Sequence, residues 1–178
     1  MNKIAAALIR EANQADADIL AQFAELTFRE TFSSENLETN INTHCRKSFS
    51  PEIQEEEITN PNTITLLAEI DGSLQGYALF RLNSSIGCVE ANRPAELLRL
   101  YVSKERHGSG LAHQIIKAVL AAASKAKNDY IWLGVWEHNP RAITFYEKYG
   151  FSLVGEHVFH LGEDPQRDLI MMAEVMSE

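Results

Sequence analysis

The sequence predicts a mixed α/β fold built on a largely antiparallel sheet that contains one parallel pair of strands. Strand patterns on either side of Asp71-Gly72 predict a β-hairpin, because this dipeptide is favoured in two-residue hairpin turns. The apolar runs 97–102 and 130–136 flank an amphipathic helical pattern over 111–126. A strand–helix–strand order of this kind predicts a right-handed crossover between two parallel strands.

The N-terminal third of the chain predicts a first strand followed by helices. Weak alternation over residues 4–11 predicts the strand, and Asn13 followed by Asp16 predicts the start of a helix. The polar segment after this helix predicts a loop and then a second helix, which begins at Ser50-Pro51 and ends at Asn60-Pro61. We expect one apolar stripe of the first helix to be buried, formed by Ile19, Phe23 and Leu26, with Leu20 and Phe28.

After the crossover, the sequence predicts a short helix and two closing strands. Asn139-Pro140 suits the N-cap and the first position of that helix, and Gly150 suits its end. Residues 151–160 and 168–175 predict the two strands. Glu163-Asp164-Pro165 predicts the turn between them.

Composition favours a single domain spanning residues 1–178. The chain has 178 residues, of which 45% are hydrophobic, and we expect its core to include Trp132 and Trp136. Cys45 and Cys88 form neither a disulfide framework nor a zinc motif, so we expect a cytoplasmic protein without a metal site. No apolar run suits a signal peptide or a membrane span.

The net charge narrows the choice of partners. The formal charge of −9 argues against nucleic acid or an anionic membrane as the main partner. The same charge is compatible with a cationic small-molecule substrate.

A glycine-bearing turn lies between the first parallel strand and its helix, at Gly108-Ser109-Gly110. Glycines at this place let several N–H groups converge at the positive end of the helix dipole, where a phosphate binds favourably. A nucleotide-binding P-loop requires Lys-Ser/Thr after the second glycine, whereas Leu111-Ala112 follows here. A dinucleotide fingerprint requires a third glycine where this chain has His113.

Two segments resemble the GNAT family of acetyl-CoA-dependent N-acetyltransferases. The segment HGSGLA, from His107 to Ala112, resembles the pyrophosphate loop of that family, and NPRAITFYEKYGF, from Asn139 to Phe151, resembles its second cofactor element. The order of predicted elements also resembles the GNAT fold. The resemblance implies a twisted sheet of six to seven strands flanked by about four helices. It also implies that the parallel strands splay apart, so that the pantetheine arm of acetyl-CoA enters the gap.

The resemblance implies a set of residues that bind acetyl-CoA. Asn139, besides capping its helix, is expected to contact the pantetheine arm. Backbone groups of Leu100, Tyr101 and Val102 are expected to pair with that arm, and the Val102 N–H to polarise the thioester carbonyl. The pyrophosphate is expected to bind the backbone amides of His107, Gly108, Ser109, Gly110, Leu111 and Ala112.

The cationic partner of the phosphates is left open by the sequence. His107 stands where the family usually has Gln or Arg. Arg106 or Lys104 could supply that charge, and Arg141 or Lys148 could also reach the phosphates.

The resemblance also implies two catalytic residues. Tyr146, which also touches the cofactor, is expected to donate a proton to the leaving thiolate, and its spacing puts it on one helix face with Ala142 and Tyr149. Glu96 is expected to deprotonate the amine through water, as a glutamate does at this position in several members of the family. His138 and His113 are less favoured bases.

The segments TFRETF and ELLRLYV resemble the spermine/spermidine acetyltransferase branch, which implies a polyamine or another small cationic amine as acceptor. Glu30, Glu35 or Glu38 could help to bind it, since the family's helical region in this part of the chain lines the substrate side. Relatives often form homodimers through their final strands, which this sequence neither supports nor excludes.

Three other functions compete with this one. Acetylation of a protein N-terminus or lysine would require an open groove, which the polar stretch 33–60 does not favour. A non-catalytic acyl-CoA-binding regulatory module would not need Tyr146. A nucleotide-binding protein would need the missing Lys-Ser/Thr pair.

Overall fold

A seven-stranded sheet runs through residues 7–176, which are the residues that the computed structural model describes. The strand order is β1-β2-β3-β4-β5-β7-β6, and every neighbouring pair is antiparallel except β4 and β5. The strands are β1 (Leu8–Glu11), β2 (Thr63–Ile70), β3 (Ser73–Leu82), β4 (Pro94–Val102), β5 (Tyr130–Trp136), β6 (Ser152–Leu161) and β7 (Asp164–Glu174). The predicted mixed, mostly antiparallel sheet with one parallel pair is confirmed.

Five α-helices within the described residues cover the sheet, where the sequence predicts about four. They are α1 (Ala17–Phe32), α2 (Glu38–Ser48), α3 (Pro51–Thr59), α4 (Leu111–Lys125) and α5 (Pro140–Glu147). Ser50 caps α3 through its side chain and Asn139 caps α5, as predicted. No helix within residues 7–176 is both long and apolar enough to cross a membrane.

The two parallel strands separate after a short contact. They pair from Pro94 opposite Tyr130 to Glu96 opposite Trp132, and then each strand continues without the other. At this point β4 also carries a bulge, since Leu97 pairs with Phe80 of β3 whereas Arg99 pairs with the preceding Leu79. The bulge turns β4 away from β5 and opens a gap in the middle of the sheet.

Each face of the sheet has its own hydrophobic core. Helices α4 and α5 pack on one face, where Ile115, Ile116 and Val119 lie against residues such as Phe80 and Leu97. Helices α1 to α3 pack on the other face, where the core joins Leu20, Phe28 and Ile41 to Leu67 and Tyr77. The gap between β4 and β5 therefore connects two covered faces.

The stripe predicted for α1 is partly wrong. Leu20 and Phe28 are buried, but Ile19 is 52% exposed and Leu26 is 54% exposed. The buried face instead includes smaller residues, namely Ala17, Ala21, Ala24 and Thr27. The helix therefore packs on the sheet through a face of mostly small side chains, and Ile19 and Leu26 face solvent.

Two boundaries differ from the prediction, and a third, that of the first strand, is confirmed in part. Helix α2 occupies part of the segment predicted as a loop, because Ile41 and Cys45 suffice as its buried contacts. The first strand is confirmed over Leu8–Glu11, and residues 4–6 of the prediction lie outside the described residues. The last turn precedes the predicted one, since Gly162 has φ 62° and β7 already begins at Asp164.

Candidate active site

A cavity of about 740 Å³ passes through the sheet where β4 and β5 separate. Residues 98–102 of β4 and 133–136 of β5 form its walls at the level of the sheet. The glycine-turn end of the cavity lies on the α4–α5 face, against His107, Ala112, Asn139 and Tyr146. The aromatic end lies on the α1–α3 face, against Phe28, His44, Phe49 and Phe159. The residues after the bulge are therefore only partly buried, although the sequence predicts a β4 covered on both faces.

The glycine turn has backbone groups available for an anion. Gly108 and Gly110 have φ values of 78° and 87°, in the left-handed region that glycine adopts without strain. Within the described chain, no group accepts a hydrogen bond from the N–H of Gly108, Gly110 or Ala112. Because these donors lie at the positive end of α4, they suit a pyrophosphate.

The other backbone donors of the turn are already used. The N–H of His107 donates to the Lys104 carbonyl at 3.2 Å, and the N–H of Ser109 donates to the Arg106 carbonyl at 3.1 Å. The N–H of Leu111 makes a long contact of 3.4 Å to the Ser109 hydroxyl. Of the six amides predicted to bind the pyrophosphate, those of Gly108, Gly110 and Ala112 are thus free for it in this structure.

The His107 side chain is engaged by two neighbours. Its Nε2 lies 3.2 Å from the Val102 carbonyl oxygen and its Nδ1 lies 3.2 Å from Nη1 of Arg141. A guanidinium can only donate, so this arrangement requires Nδ1 to accept and the Nε2 proton to point at the carbonyl. Arg141 and Lys104 line the cavity as cations, whereas Arg106 and Lys148 lie outside its lining.

The exposed edge of β4 suits an extended ligand. Leu100, Tyr101 and Val102 pair with β3 on one side and face the gap on the other, so their free edge can pair with an amide-bearing chain. Asn139 lies beside this edge, where its side chain accepts a hydrogen bond from the Ala142 N–H at 3.2 Å and also lines the cavity. This set fits the pantetheine arm that the resemblance implies.

Sequence comparison identifies the family to which the chain, and so this cleft, belongs. The model of the acetyltransferase (GNAT) family matches residues 22–151. The chain belongs to the GNAT family. This membership confirms the predicted enzyme class, an N-acetyltransferase that takes its acetyl group from acetyl-CoA.

Individual relatives are consistent with this membership. An uncharacterized N-acetyltransferase of Mycobacterium tuberculosis is 32% identical over 161 residues, which cover 90% of this chain and 99% of the relative. The spermine/spermidine N(1)-acetyltransferase of Bacillus subtilis is 31% identical over 93 residues, or 51% of this chain and 60% of that protein. The fold also matches the PaiA N-acetyltransferase of Thermoplasma acidophilum, solved in complex with coenzyme A, with a TM-score of 0.78 at 23% identity over 95% of this chain and 99% of that one.

Tyr146 lines the GNAT cleft from α5. Its ring packs against Phe145 and Phe151, with centroids 5.3 and 5.5 Å away. Burial, together with the nearby Tyr101, raises the pKa of the Tyr146 hydroxyl. The hydroxyl therefore carries its proton at neutral pH, which is the form that a general acid needs.

Glu96 lies before the gap rather than in it. One carboxylate oxygen accepts a hydrogen bond from the Ser84 hydroxyl at 2.6 Å and lies 3.6 Å from Nη1 of Arg81. Glu96 does not line the GNAT cleft, and neither do His113 and His138. The Glu96 carboxylate, which is the predicted base, thus contacts β3 and the loop that follows β3 instead of the cleft.

An acid that the sequence analysis missed does line the cleft. Asp168, near the middle of β7, is opposite Trp136 of β5 and His157 of β6. Its Oδ2 lies 3.8 Å from Nε2 of His157, and burial raises the pKa of this carboxyl. The sequence does show an acid directly before the apolar run 169–173. Whether that acid reaches the cleft depends on the strand register, which the sequence does not reveal.

The aromatic end of the cleft has largely uncharged walls. His44 stacks on Phe28 with ring centroids 4.4 Å apart and an interplanar angle of 21°. Burial, with a smaller contribution from the charge of Arg99, lowers the pKa of His44 to about 4. Trp136 also lines this part of the cleft instead of the core where the sequence predicts it, whereas Trp132 is buried as predicted.

The charged groups at this end are few. Glu30 lines the cleft at an exposed position, whereas Glu35 lines a separate surface depression and Glu38 lies in the first turn of α2. Arg99 also lines the cleft, but its Nη1 donates to Glu57 at 2.6 Å and its guanidinium lies 5.1 Å from the Phe49 ring. The ion pair leaves this part of the wall close to neutral.

Proposed function

We propose that the enzyme transfers the acetyl group of acetyl-CoA to a small primary amine, with a polyamine as the first candidate. The observation that carries this proposal is the cavity through the sheet, because its two ends have different chemistry. Free N–H groups and Arg141 suit the phosphates at one end, while aromatic rings and the acids Asp168 and Glu30 suit an amine at the other.

The two ends favour direct transfer in a ternary complex. The acetyl donor would lie along β4 from the α4–α5 face, and the amine would enter from the α1–α3 face. Both ligands can then be bound together, with the reacting atoms meeting in the gap between β4 and β5. Such an arrangement needs no acetylated enzyme side chain.

The walls of the aromatic end support a small acceptor. Helices α1 and α2 cover this end, which favours a compact ligand over an extended polypeptide. Aromatic faces attract an ammonium and pack against methylene groups. A polyamine could place one ammonium beside Asp168 and another near Glu30, and the partial match to the Bacillus subtilis spermine/spermidine enzyme favours the same class.

Tyr146 has the role of general acid in this proposal. Its protonated hydroxyl would give a proton to the sulfur as the carbon–sulfur bond breaks. The Val102 N–H remains the proposed group that polarises the acetyl carbonyl. Glu96 remains the base expected from the family resemblance, although its contacts with Ser84 and Arg81 compete with that role.

The proposal also covers the localisation, the domain organisation and the partners of the enzyme. We expect the enzyme in the cytoplasm, which the two free cysteines, Cys45 and Cys88, favour. We expect residues 1–178 to act as one domain, and neither nucleic acid nor a membrane to be its main partner. Light scattering in solution tests whether the enzyme forms a homodimer.

Thiol release from acetyl-CoA tests the function. The panel contains spermidine, spermine, amines with a single charge, amino acids and a lysine peptide, and calorimetry measures acetyl-CoA binding in parallel. Turnover with polyamines supports the proposal in full, and turnover with peptides alone replaces it with protein acetylation. Acetyl-CoA binding without any turnover favours a regulatory module, and absence of acetyl-CoA binding contradicts the proposal.

A further inference from the structure

We propose that Asp168 binds the ammonium of the acceptor and takes its first proton, and that His157 passes this proton to solvent. This inference rests on the proposed function, because it assigns the amine subsite of the same cleft. It gives the reaction a base on β7 instead of Glu96 on β4.

The first argument is the position of Asp168 in the sheet. It is the first residue of β7 to pair with β5, opposite Trp136 at the end of β5, where β5 has already left β4. Its side chain is only 13% exposed, yet it lines the cleft. A carboxylate in this place faces the gap where the two ligands would meet.

The second argument is the room that the neighbouring strand leaves. Gly134 of β5 has no side chain, and a Cβ there would lie 3.3 Å from Oδ2 of Asp168 and 3.2 Å from Nε2 of His157. A larger residue would crowd both groups. The glycine thus leaves room for the carboxylate, which lines the cleft, and for the imidazole beside it.

The third argument is a route for the proton. His157 of β6 lies opposite Asp168 of β7, and its side chain is 35% exposed. Imidazole exchanges protons readily near neutral pH. His157 does not line the cleft, so a proton that crosses the 3.8 Å from Oδ2 of Asp168 to Nε2 of His157 can reach water away from the ligands.

The remaining ionisable groups that line the cleft suit this role less well. The depressed pKa of His44 makes it a weak base, and Arg99 is a cation paired with Glu57. Glu30 is exposed at the edge of the cleft. Tyr101, which also faces Asp168, has a raised pKa through burial and keeps its proton. Lys104, His107 and Arg141 lie at the glycine-turn end.

The proton balance assigns a separate task to each side chain. The ammonium gives one proton to the Asp168 carboxylate, and the freed nitrogen lone pair forms the bond to the acetyl carbon while the carbon–sulfur bond breaks. The sulfur gains a proton from Tyr146, and the second proton lost by the nitrogen returns Tyr146 to its protonated form. One proton is released overall, and it leaves through Asp168 and His157.

The test compares Asp168→Asn with Glu174→Gln. Glu174 is an exposed acid at the other end of the same strand, so this control makes the same change of charge outside the cleft. Thiol release against amine concentration and pH is measured for both variants, together with acetyl-CoA affinity by calorimetry. We expect Asp168→Asn to lower kcat/KM for the amine about 100-fold or more, to remove the acidic limb of the pH profile, and to change acetyl-CoA affinity less than twofold.

His157→Gln separates the relay from a structural role. We expect this variant to lower kcat while leaving KM for the amine nearly unchanged, and added imidazole buffer to restore part of the rate. If Asp168→Asn does not fold, Gly134→Ala replaces it, with a raised KM for the amine and a lowered kcat as the expected result.

The outcomes distinguish a failure of this inference from a failure of the proposed function. Full turnover in Asp168→Asn, or in Gly134→Ala where that variant is used, overturns the inference and leaves the proposed function standing. No turnover in the wild-type enzyme with any amine overturns both.

Discussion

Arg141 donates a hydrogen bond from Nη1 to Nδ1 of His107 over 3.2 Å, at the end of the cleft where the free N–H groups of the glycine turn lie. We expect Arg141→Gln to weaken acetyl-CoA binding about tenfold or more, because a charge-assisted hydrogen bond contributes about 1.5–3 kcal/mol. Calorimetry over a range of salt concentrations measures this, and the variant should show a weaker salt dependence.

The matched control is Lys148→Gln, which removes one positive charge just after α5 but outside the lining of the cleft. We expect less than a twofold change in acetyl-CoA affinity for this variant. Equal losses for the two substitutions would show that only the net charge matters, and would contradict the specific role of Arg141.

The left-handed backbone of Gly110 gives a second prediction. A side chain at φ 87° is strained, so we expect Gly110→Ala to lower the free energy of unfolding by about 1–2 kcal/mol. The same change should weaken acetyl-CoA binding, because it shifts the N–H groups at the start of α4. Urea unfolding and calorimetry measure the two effects.

Gly87→Ala serves as the control for this prediction. Gly87 is exposed, its φ is not positive, and an added Cβ would meet no atom within 4 Å. We expect its free energy of unfolding to change by less than about 0.5 kcal/mol. The prediction fails if Gly110→Ala is as stable as this control.

Local signals account for most of the elements that the sequence predicts correctly. Asp71-Gly72 sets the hairpin, and both residues have positive φ values, 51° and 74°, as the favoured turn requires. Ser50 and Asn139 act as helix caps through their own side chains. Each of these signals depends only on neighbours in the chain, which is why the sequence reveals it.

The errors arise where distant contacts decide. The sequence predicts a turn at Pro165, but this part of β7 pairs with β6 alone, so the missing N–H of proline can face the unpaired side. Asp168 is not predicted as a site residue for a similar reason. Only the register of β5, β7 and β6 brings it to Trp136 and His157. The residues expected to bind acetyl-CoA come from the family resemblance, whereas those of the aromatic end depend on three-dimensional packing.

The depressed pKa of His44 predicts a loss of stability in acid. The folded-state pKa is about 4 against an ordinary value of 6.5, so between these values the unfolded chain binds a proton that the folded protein does not. The free energy of unfolding should therefore fall as the pH drops from about 6.5 to about 4, by at most about 1.4 kcal/mol per pH unit from this group.

His44→Phe tests this because phenylalanine keeps the stack on Phe28 and cannot be protonated. Urea unfolding at pH 7 and pH 5 should show a smaller decrease for His44→Phe than for the wild type. His138→Gln changes a histidine whose side chain is 67% exposed, and it should leave the wild-type decrease in place. A decrease in His44→Phe equal to that of the wild type would contradict the assignment.

Tyr146 and Tyr149 provide a matched pair of hydroxyl deletions around the end of α5. Tyr146 lines the cleft, whereas the Tyr149 hydroxyl lies 2.6 Å from Nδ1 of His113 between α4 and α5. We expect Tyr146→Phe to lower kcat about 100-fold or more with unchanged acetyl-CoA affinity, because the proton donor for the sulfur is lost while the ring still packs.

Tyr149→Phe should keep kcat within about twofold and lose about 1 kcal/mol of folding stability, the typical value of one hydrogen bond. Thiol release with a saturating amine, together with urea unfolding, separates the two effects. Nearly equal kcat values for the two variants would exclude Tyr146 as the general acid.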